Sequence, residues 1–448
     1  MKALLLFALP IILGNLFQQF YTMVDSAIVG RYVGEQALAA VGASYALTNI
    51  FICVAIGGGI GASVVVSQYF GAKEYGKMQL ALFTSFLSFL IISTALGGFG
   101  LLAGRQIMTI LHTPADVLDM ATQYLNIYFI GLPFLFMYNI VSSMFNALGK
   151  SRIPLYFLIF SSILNVVLDL VFVRRYGWGV AGAAWATLIA QGLSAVLSFA
   201  VFLRLLKSLH CGRTGLFSGG EARRMAMIAL PSILQQSTVS IGMMLVQAVV
   251  NGFGSEALAG YSAAMRIESI CCVPMTCIGN AVSSYTAQNI GAGCGDRVPE
   301  GLRASRRMVY AFAAVICFAL ELFPRQIIAL FIGADGTEAA FATGMGYLTF
   351  MGWFFTFMGL KMSVDGLLRG AGDMTVFTIA NLVNLSVRVA VAAIGAPRWG
   401  IAMVWYAVPL GWMINGIISY AEYHTGKWKR ALRTHTDENA PEPVSGRP

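Results

Sequence analysis

Leu9–Gly34 reads LPIILGNLFQQFYTMVDSAIVGRYVG. This exceeds the ~20 apolar residues needed to cross a bilayer. It also carries one carboxylate, Asp25. A charge at mid-membrane costs ~2.5–3.5 kcal/mol on insertion scales. Such a residue marks a pathway for a proton, an ion or a substrate, and the rest of the chain reads as a frame around it.

Composition points the same way. The chain is 58% hydrophobic and 11% charged, against roughly 25% charged residues in a soluble domain. Apolar runs recur almost to the C-terminus. The expectation is an all-α polytopic membrane protein with twelve transmembrane helices, from Leu4–Val29 to Ile401–Tyr420. Among them are single spans over Met308–Leu330 and Phe341–Val364. A transmembrane barrel would alternate apolar and polar residues in ~10-residue strands, and no such alternation occurs. The Lys and Arg residues behind the net charge of +9 are scattered through short loops, which fits membrane topology rather than nucleic acid.

Loop charge sets the orientation. One set of alternate loops holds Lys73, Lys77, Lys150, Arg152, Lys207, Arg213, Arg223, Arg224, Arg297, Arg303, Arg306 and Arg307, followed by a basic stretch at Lys427–Arg433. The other set holds only Arg31, Arg105, Arg174, Arg175, Arg325 and Arg398. The first set is expected to be cytoplasmic, with both termini inside. No A-x-A-like site follows Met1–Lys2, so the first helix is expected to stay as an uncleaved anchor. The seven cysteines show no framework spacing and read as packing residues.

The halves repeat. Ala8-Leu9-Pro10 returns as Ala229-Leu230-Pro231, and VGEQALAAV (Val33–Val41) as FGSEALAGY (Phe253–Tyr261). Gln68–Ala72 returns as Gln288–Ala292, and Leu148–Ser151 as Ala371–Met374. An even number of spans per half sets the pseudo-two-fold along the membrane normal. The expected divisions are a six-helix lobe over 1–206, a cytoplasmic linker over 207–224, a second six-helix lobe over 225–423 and a disordered tail over 424–448. Pro10, inside an apolar helix, removes a backbone hydrogen bond and permits a bend.

Depth groups four oxygen-bearing side chains. At 1.5 Å per residue, Asp25 lies ~9 Å below Arg31, and Asn165 and Asp169 lie ~13 and ~8 Å below Arg174. Thr187 lies ~12 Å into its helix from Gly179. Asn165 and Asp169 share one helix face. Two carboxylates, an amide and a hydroxyl suit Na⁺ or a shared proton. The plainer alternative is that the acids only hydrogen-bond neighbouring helices or lie at the water boundary.

The second half does not reproduce this set. Arg388 stands opposite Asn165 and Ala392 opposite Asp169, and Arg266, Glu268, Lys361 and Asp365 appear instead. Pairing among these charges is the expectation. Arg266 and Glu268 do not face each other on a helix, so each needs a partner elsewhere. Met243, Met244, Phe355, Met358 and Met362, with Asp365, form a candidate wall for apolar cations. Gly57–Gly61, GGGIG, lacks a phosphate loop's strand and Lys-Ser/Thr and reads as close helix packing.

The repeated pattern resembles the multidrug and toxic compound extrusion (MATE) family. The pieces that carry it are the stretch from Ala8 to Ser44, SQYFGAK, NALGKSRIP, NVVLDLVF, GVAGAAWAT, ALPSILQQ, AQNIGAG and LLRGAGDMT. The resemblance implies two six-helix lobes, a V-shaped cavity and drug efflux driven by inward Na⁺ or H⁺. Within the family the chain looks DinF-like. That places Asp25, Asn165, Asp169 and Thr187 in the cation or proton site, and Pro10 where first-helix bending is proposed. The C-lobe acids of the NorM-like branch fall near Val239 and Met358, so that site is absent.

The function expected is a cation-coupled antiporter of the cell (inner) membrane exporting organic, amphipathic or cationic compounds. It needs no cofactor beyond H⁺ or Na⁺, and a monomer is expected. The alternative is a lipid-linked oligosaccharide flippase of the same superfamily, with Arg266, Lys361 and Arg388 as candidate diphosphate bases. An intramembrane enzyme is disfavoured: His112, His210, His424 and His435 fall in loops, linker or tail, and no nucleophile–base pair appears in the spans.

Overall fold

A computed structural model describes residues 2–110, 113–208, 215–332 and 337–429. His112, His210, Cys211, Arg213, His435, part of the 207–224 linker and the tail from 430 on lie outside the described residues. The helices are α1 (Lys2–Tyr32), α2 (Glu35–Gly71), α3 (Tyr75–Ile110), α4 (Ala115–Ala147) and α5 (Arg152–Asp169). They continue with α6 (Gly179–Ser208), α7 (Gly219–Asn251), α8 (Ser255–Gly291), α9 (Arg297–Leu322) and α10 (Pro324–Ile332). The last are α11 (Glu338–Gly352), α12 (Phe355–Ala371), α13 (Met374–Ala390), α14 (Ala396–Trp399) and α15 (Ala402–Thr425).

Among the described residues, nine helices are long and apolar enough to cross a membrane, or ten if α9 and α10 form one span. That pair is bent by 79°. Pro324 opens α10 and disfavours helical geometry at the residue before it; Phe323 sits there at φ −126°, ψ 36°. The span expected at Phe341–Val364 is two helices, α11 and α12, separated at Trp353–Phe354. Helix α12 also carries Lys361, Asp365 and Arg369, and α8 carries Glu256, Arg266 and Glu268. These charges depress apolarity where the sequence suggested uniform spans. Past α15, a 3₁₀ turn covers Lys427–Lys429, and Trp428 is buried there.

The chain forms two compact units. One comprises 9–66 and 75–233, the other 1–8, 67–74 and 234–448. Helix α1 passes from one to the other between Ala8 and Leu9, and α7 between Ile233 and Leu234. Both crossings lie within a few residues of the repeated prolines, Pro10 and Pro231. Neither α1 nor α7 has a continuous hydrogen-bond ladder there, because proline donates nothing.

In the first unit the glycine run of α2 is a packing surface. A Cβ on Gly57 would sit 2.6 Å from the Ile233 backbone, and one on Gly61 2.5 Å from that of Ala229. Only glycine lets two helices approach this closely.

Candidate functional site

Helix α5 is amphipathic the wrong way round for a soluble protein. Its buried residues are Ser161, Ser162, Asn165 and Asp169, while Ile163 and Val167 are exposed. In a membrane this arrangement gives the apolar face to lipid and turns the polar stripe inward. Just past Asp169 the helix widens into a π turn, Leu170–Arg175. Such turns recur at functional sites because they re-aim the side chains beside them.

The polar stripe meets α6 and α1. Asn165 Nδ2 donates to Thr187 Oγ1 at 3.0 Å, and Thr187 donates to the Ala183 carbonyl at 3.0 Å. Asp169 is 0% exposed. Its carboxyl faces that of Asp25 at hydrogen-bonding range. Beyond that carboxyl–carboxyl contact, no group among the described residues donates to either oxygen of Asp169, to Asp25 Oδ1 or to Asn165 Oδ1. All four side chains singled out by depth are therefore brought together, and their oxygens find few donors. Buried acceptors of this kind are rare and costly. Here they lie in one cluster of side chains from α1, α5 and α6.

Two further residues belong to the cluster. Tyr21 lies one turn before Asp25 on α1, and its hydroxyl reaches Thr187. Tyr124 of α4 sits close to both carboxyls. The i,i+4 spacing of Tyr21 and Asp25 was a usable signal in the sequence; Tyr124 had none. Beside it, Val29, Ala37, Val173, Val180 and Ala183 form a buried apolar cap against which Val33 and Tyr124 pack. On another side a cavity of roughly 320 Å³, counting its open mouth, is lined by Tyr124, Tyr128, Gly131, Leu135, Ala184, Thr187, Leu188 and Gln191. Tyr124 and Thr187 are common to the cavity and the carboxyl cluster.

The second unit carries a different polar core. Lys361 and Asp365 pair at 2.8 Å, both almost wholly buried. Lys361 also donates to Asn381 Oδ1 at 3.1 Å, and Ser419 donates to Asp365 at 2.7 Å. Arg369, one turn further along α12, donates to Asn280 at 2.8 Å and to Gln235 at 3.4 Å. Glu268 accepts the Tyr347 hydroxyl at 2.5 Å, whereas Arg266 is exposed. The candidate substrate wall is not one surface: Met244 is 61% exposed, while Phe355, Met358 and Asp365 are buried and Met243 and Met362 are intermediate.

Helices of this length and polarity, with charged clusters enclosed inside them, define a multi-pass membrane transporter. Comparison with known proteins places it further. The MatE family model matches twice, over residues 10–171 and 231–394, once in each half. The chain belongs to this family, whose members are transporters and not enzymes. It is 30% identical over 441 residues to the probable multidrug resistance protein YpnP of Bacillus subtilis, covering 98% of both chains. It is 26% identical to the probable multidrug resistance protein YoeA of the same organism, covering 96% of this chain and 94% of the relative. A MATE crystal structure in the bent conformation superposes with a TM-score of 0.88 at 22% identity, over 97% of each chain.

Proposed function

We propose that this protein is a multidrug efflux antiporter driven by H⁺ or Na⁺, exporting organic, amphipathic or cationic compounds by alternating access. The family and the multidrug resistance relatives support export. The observation that carries the coupling is Asp169: fully enclosed, facing a second carboxyl at hydrogen-bonding range, and with no other donor to its oxygens among the described residues. Two such groups repel when both are ionised. A proton between them or a cation against them removes that repulsion, so occupancy and local structure are linked.

In this reading Asp25 and Asp169 take the coupling ion, the free Asn165 oxygen adds a neutral ligand, and Thr187 holds the amide in place. Tyr21 and Tyr124 position the carboxyls, and Pro10 lets α1 bend, as in the DinF-like branch. The protein acts as a monomer in the cell (inner) membrane with both termini in the cytoplasm. The flippase reading loses Lys361 as a free base, because its ammonium is held between Asp365 and Asn381. Reconstituted protein given Na⁺ and pH gradients separately tests the proposal: one of the two gradients alone drives export, and export indifferent to both contradicts it.

A further inference from the structure

Helix α9 carries bases on the stripe that it turns outward. Arg303 and Arg307 are exposed, and the exposed stripe continues at helical spacing through Tyr310, Ala314 and Phe318. Tyr310 is 52% and Phe318 67% exposed, as suits a face turned to lipid. No charge follows Arg307 on α9 until Glu321. The arginines therefore stand at the polar boundary of an apolar run, in line with its outward face. Among the described residues Arg303, Arg306 and Arg307 make no ion pair. Glu300, one turn before Arg303, is itself exposed and pairs with none of them.

The end of α15 comes to the same place. Tyr423 lies within electrostatic reach of Arg306 and Arg303. Its ring stacks on that of Trp428 at 6.0 Å, and Trp428 Nε1 donates to the Tyr423 carbonyl at 3.1 Å. The buried Trp428 pins the 3₁₀ turn, and the Lys429 ammonium lies over its ring at 5.6 Å. Lys427 is answered by Glu422 at 3.4 Å. Tyrosine and tryptophan beside unpaired bases are the composition of the headgroup level of a bilayer. An arginine fork grips two oxygens of a phosphate. A phospholipid brings its phosphate to that level by its own insertion and covers Tyr310 and Phe318 with its chains. A soluble acid would have to leave water to reach the same boundary. We infer that Arg303, Arg306 and Arg307, beside Tyr423, form a binding site for the phosphate headgroup of an anionic phospholipid at the rim of the second unit. The site is independent of the coupling ion and of the exported compound.

Native mass spectrometry of the purified full chain in a neutral detergent tests this, with phosphatidylglycerol and phosphatidylcholine of the same acyl chains as probes. The wild type is expected to bind phosphatidylglycerol about tenfold more tightly. Three separate bases would give more, but phosphatidylcholine also brings a phosphate. Arg303→Gln, Arg306→Gln and Arg307→Gln together are expected to abolish the preference and leave phosphatidylcholine binding unchanged, which also shows that the variant is folded. Arg307→Gln alone, at an exposed position, is expected to lower the preference part of the way. Lys150→Gln, Arg152→Gln and Lys207→Gln together remove as much charge from the first unit and are expected to keep it. Glycerol phosphate, a soluble headgroup, is expected not to displace the lipid. Equal affinity of the wild type for both lipids overturns the site. So does a preference that survives the α9 substitutions, or one that the first-unit substitutions abolish as well. Displacement by glycerol phosphate would make it a site for soluble phosphates and contradict the lipid.

Discussion

Asp169 turns its carboxyl to that of Asp25 at hydrogen-bonding range, and among the described residues no other group donates to its oxygens. The pair joins α1 to α5 through two carboxyls at hydrogen-bonding range. Whatever neutralises that charge therefore acts on two helices at once.

The first expectation concerns the pair as a unit. Residues in one network couple by ~0.5–3 kcal/mol. Asp25→Asn and Asp169→Asn should each weaken cation-linked export, and the double variant should lose less than the sum. Isothermal measurement of ion or proton uptake in the three variants gives the cycle, and strictly additive losses would separate the two acids.

Pro10 should govern the rate and not the affinity. Its place within two residues of the α1 crossing between compact units motivates this, together with its recurrence as Pro231 at the α7 crossing. Pro10→Ala restores a backbone donor and stiffens the helix. Turnover in proteoliposomes should fall while ion binding stays near normal. Weakened binding at unchanged turnover per bound ion would point the other way.

Asp365 should matter for folding. Removing one partner of a buried ion pair costs ~3–5 kcal/mol, because the other charge is left enclosed. Asp365→Asn should lower the amount of folded protein in the membrane and leave coupling per folded molecule nearly unchanged. Quantitative size-exclusion profiles of solubilised membranes measure the first, and efflux normalised to folded protein the second. A folded variant that loses cationic drugs and keeps neutral ones would make Asp365 a substrate contact.

A reciprocal glycine contact makes a stability prediction. A Cβ on Gly71 would collide with the Gln288 carbonyl, and one on Gly291 with the Gln68 carbonyl. Gln68 and Gln288, like Gly71 and Gly291, are repeat partners, so the contact is made twice in mirror roles. Gly71→Ala and Gly291→Ala should each destabilise by ~1–3 kcal/mol through overpacking. Thermal unfolding in detergent reads this, and a midpoint unchanged in both variants would show that the helices can move apart at no cost.

The sequence carried most of the architecture because hydropathy and repetition are both one-dimensional signals. Counting from Arg31, Arg174 and Gly179 was enough to group Asp25, Asn165, Asp169 and Thr187, since depth along a helix depends only on rise. What escaped depends on how helices pack. Tyr124 joins the cluster because of the face α4 turns to α5 and α6, which its own sequence does not state. The π turn after Asp169 has no local composition that marks it. The break at Trp353–Phe354 lies in an apolar run that reads as one span. The Lys361–Asp365 pair was visible in its i,i+4 spacing, but Asn381 and Ser419 reach it from α13 and α15.

The most direct test of the coupling site is Asp25→Asn, which keeps shape and hydrogen bonding and cannot ionise. Wild-type and variant protein are reconstituted at equal folded amounts, and drug export is followed under an imposed Na⁺ or pH gradient. The account predicts that the gradient accelerates export by the wild type and has no effect on the variant. Gradient-driven export by Asp25→Asn at the wild-type rate would contradict it.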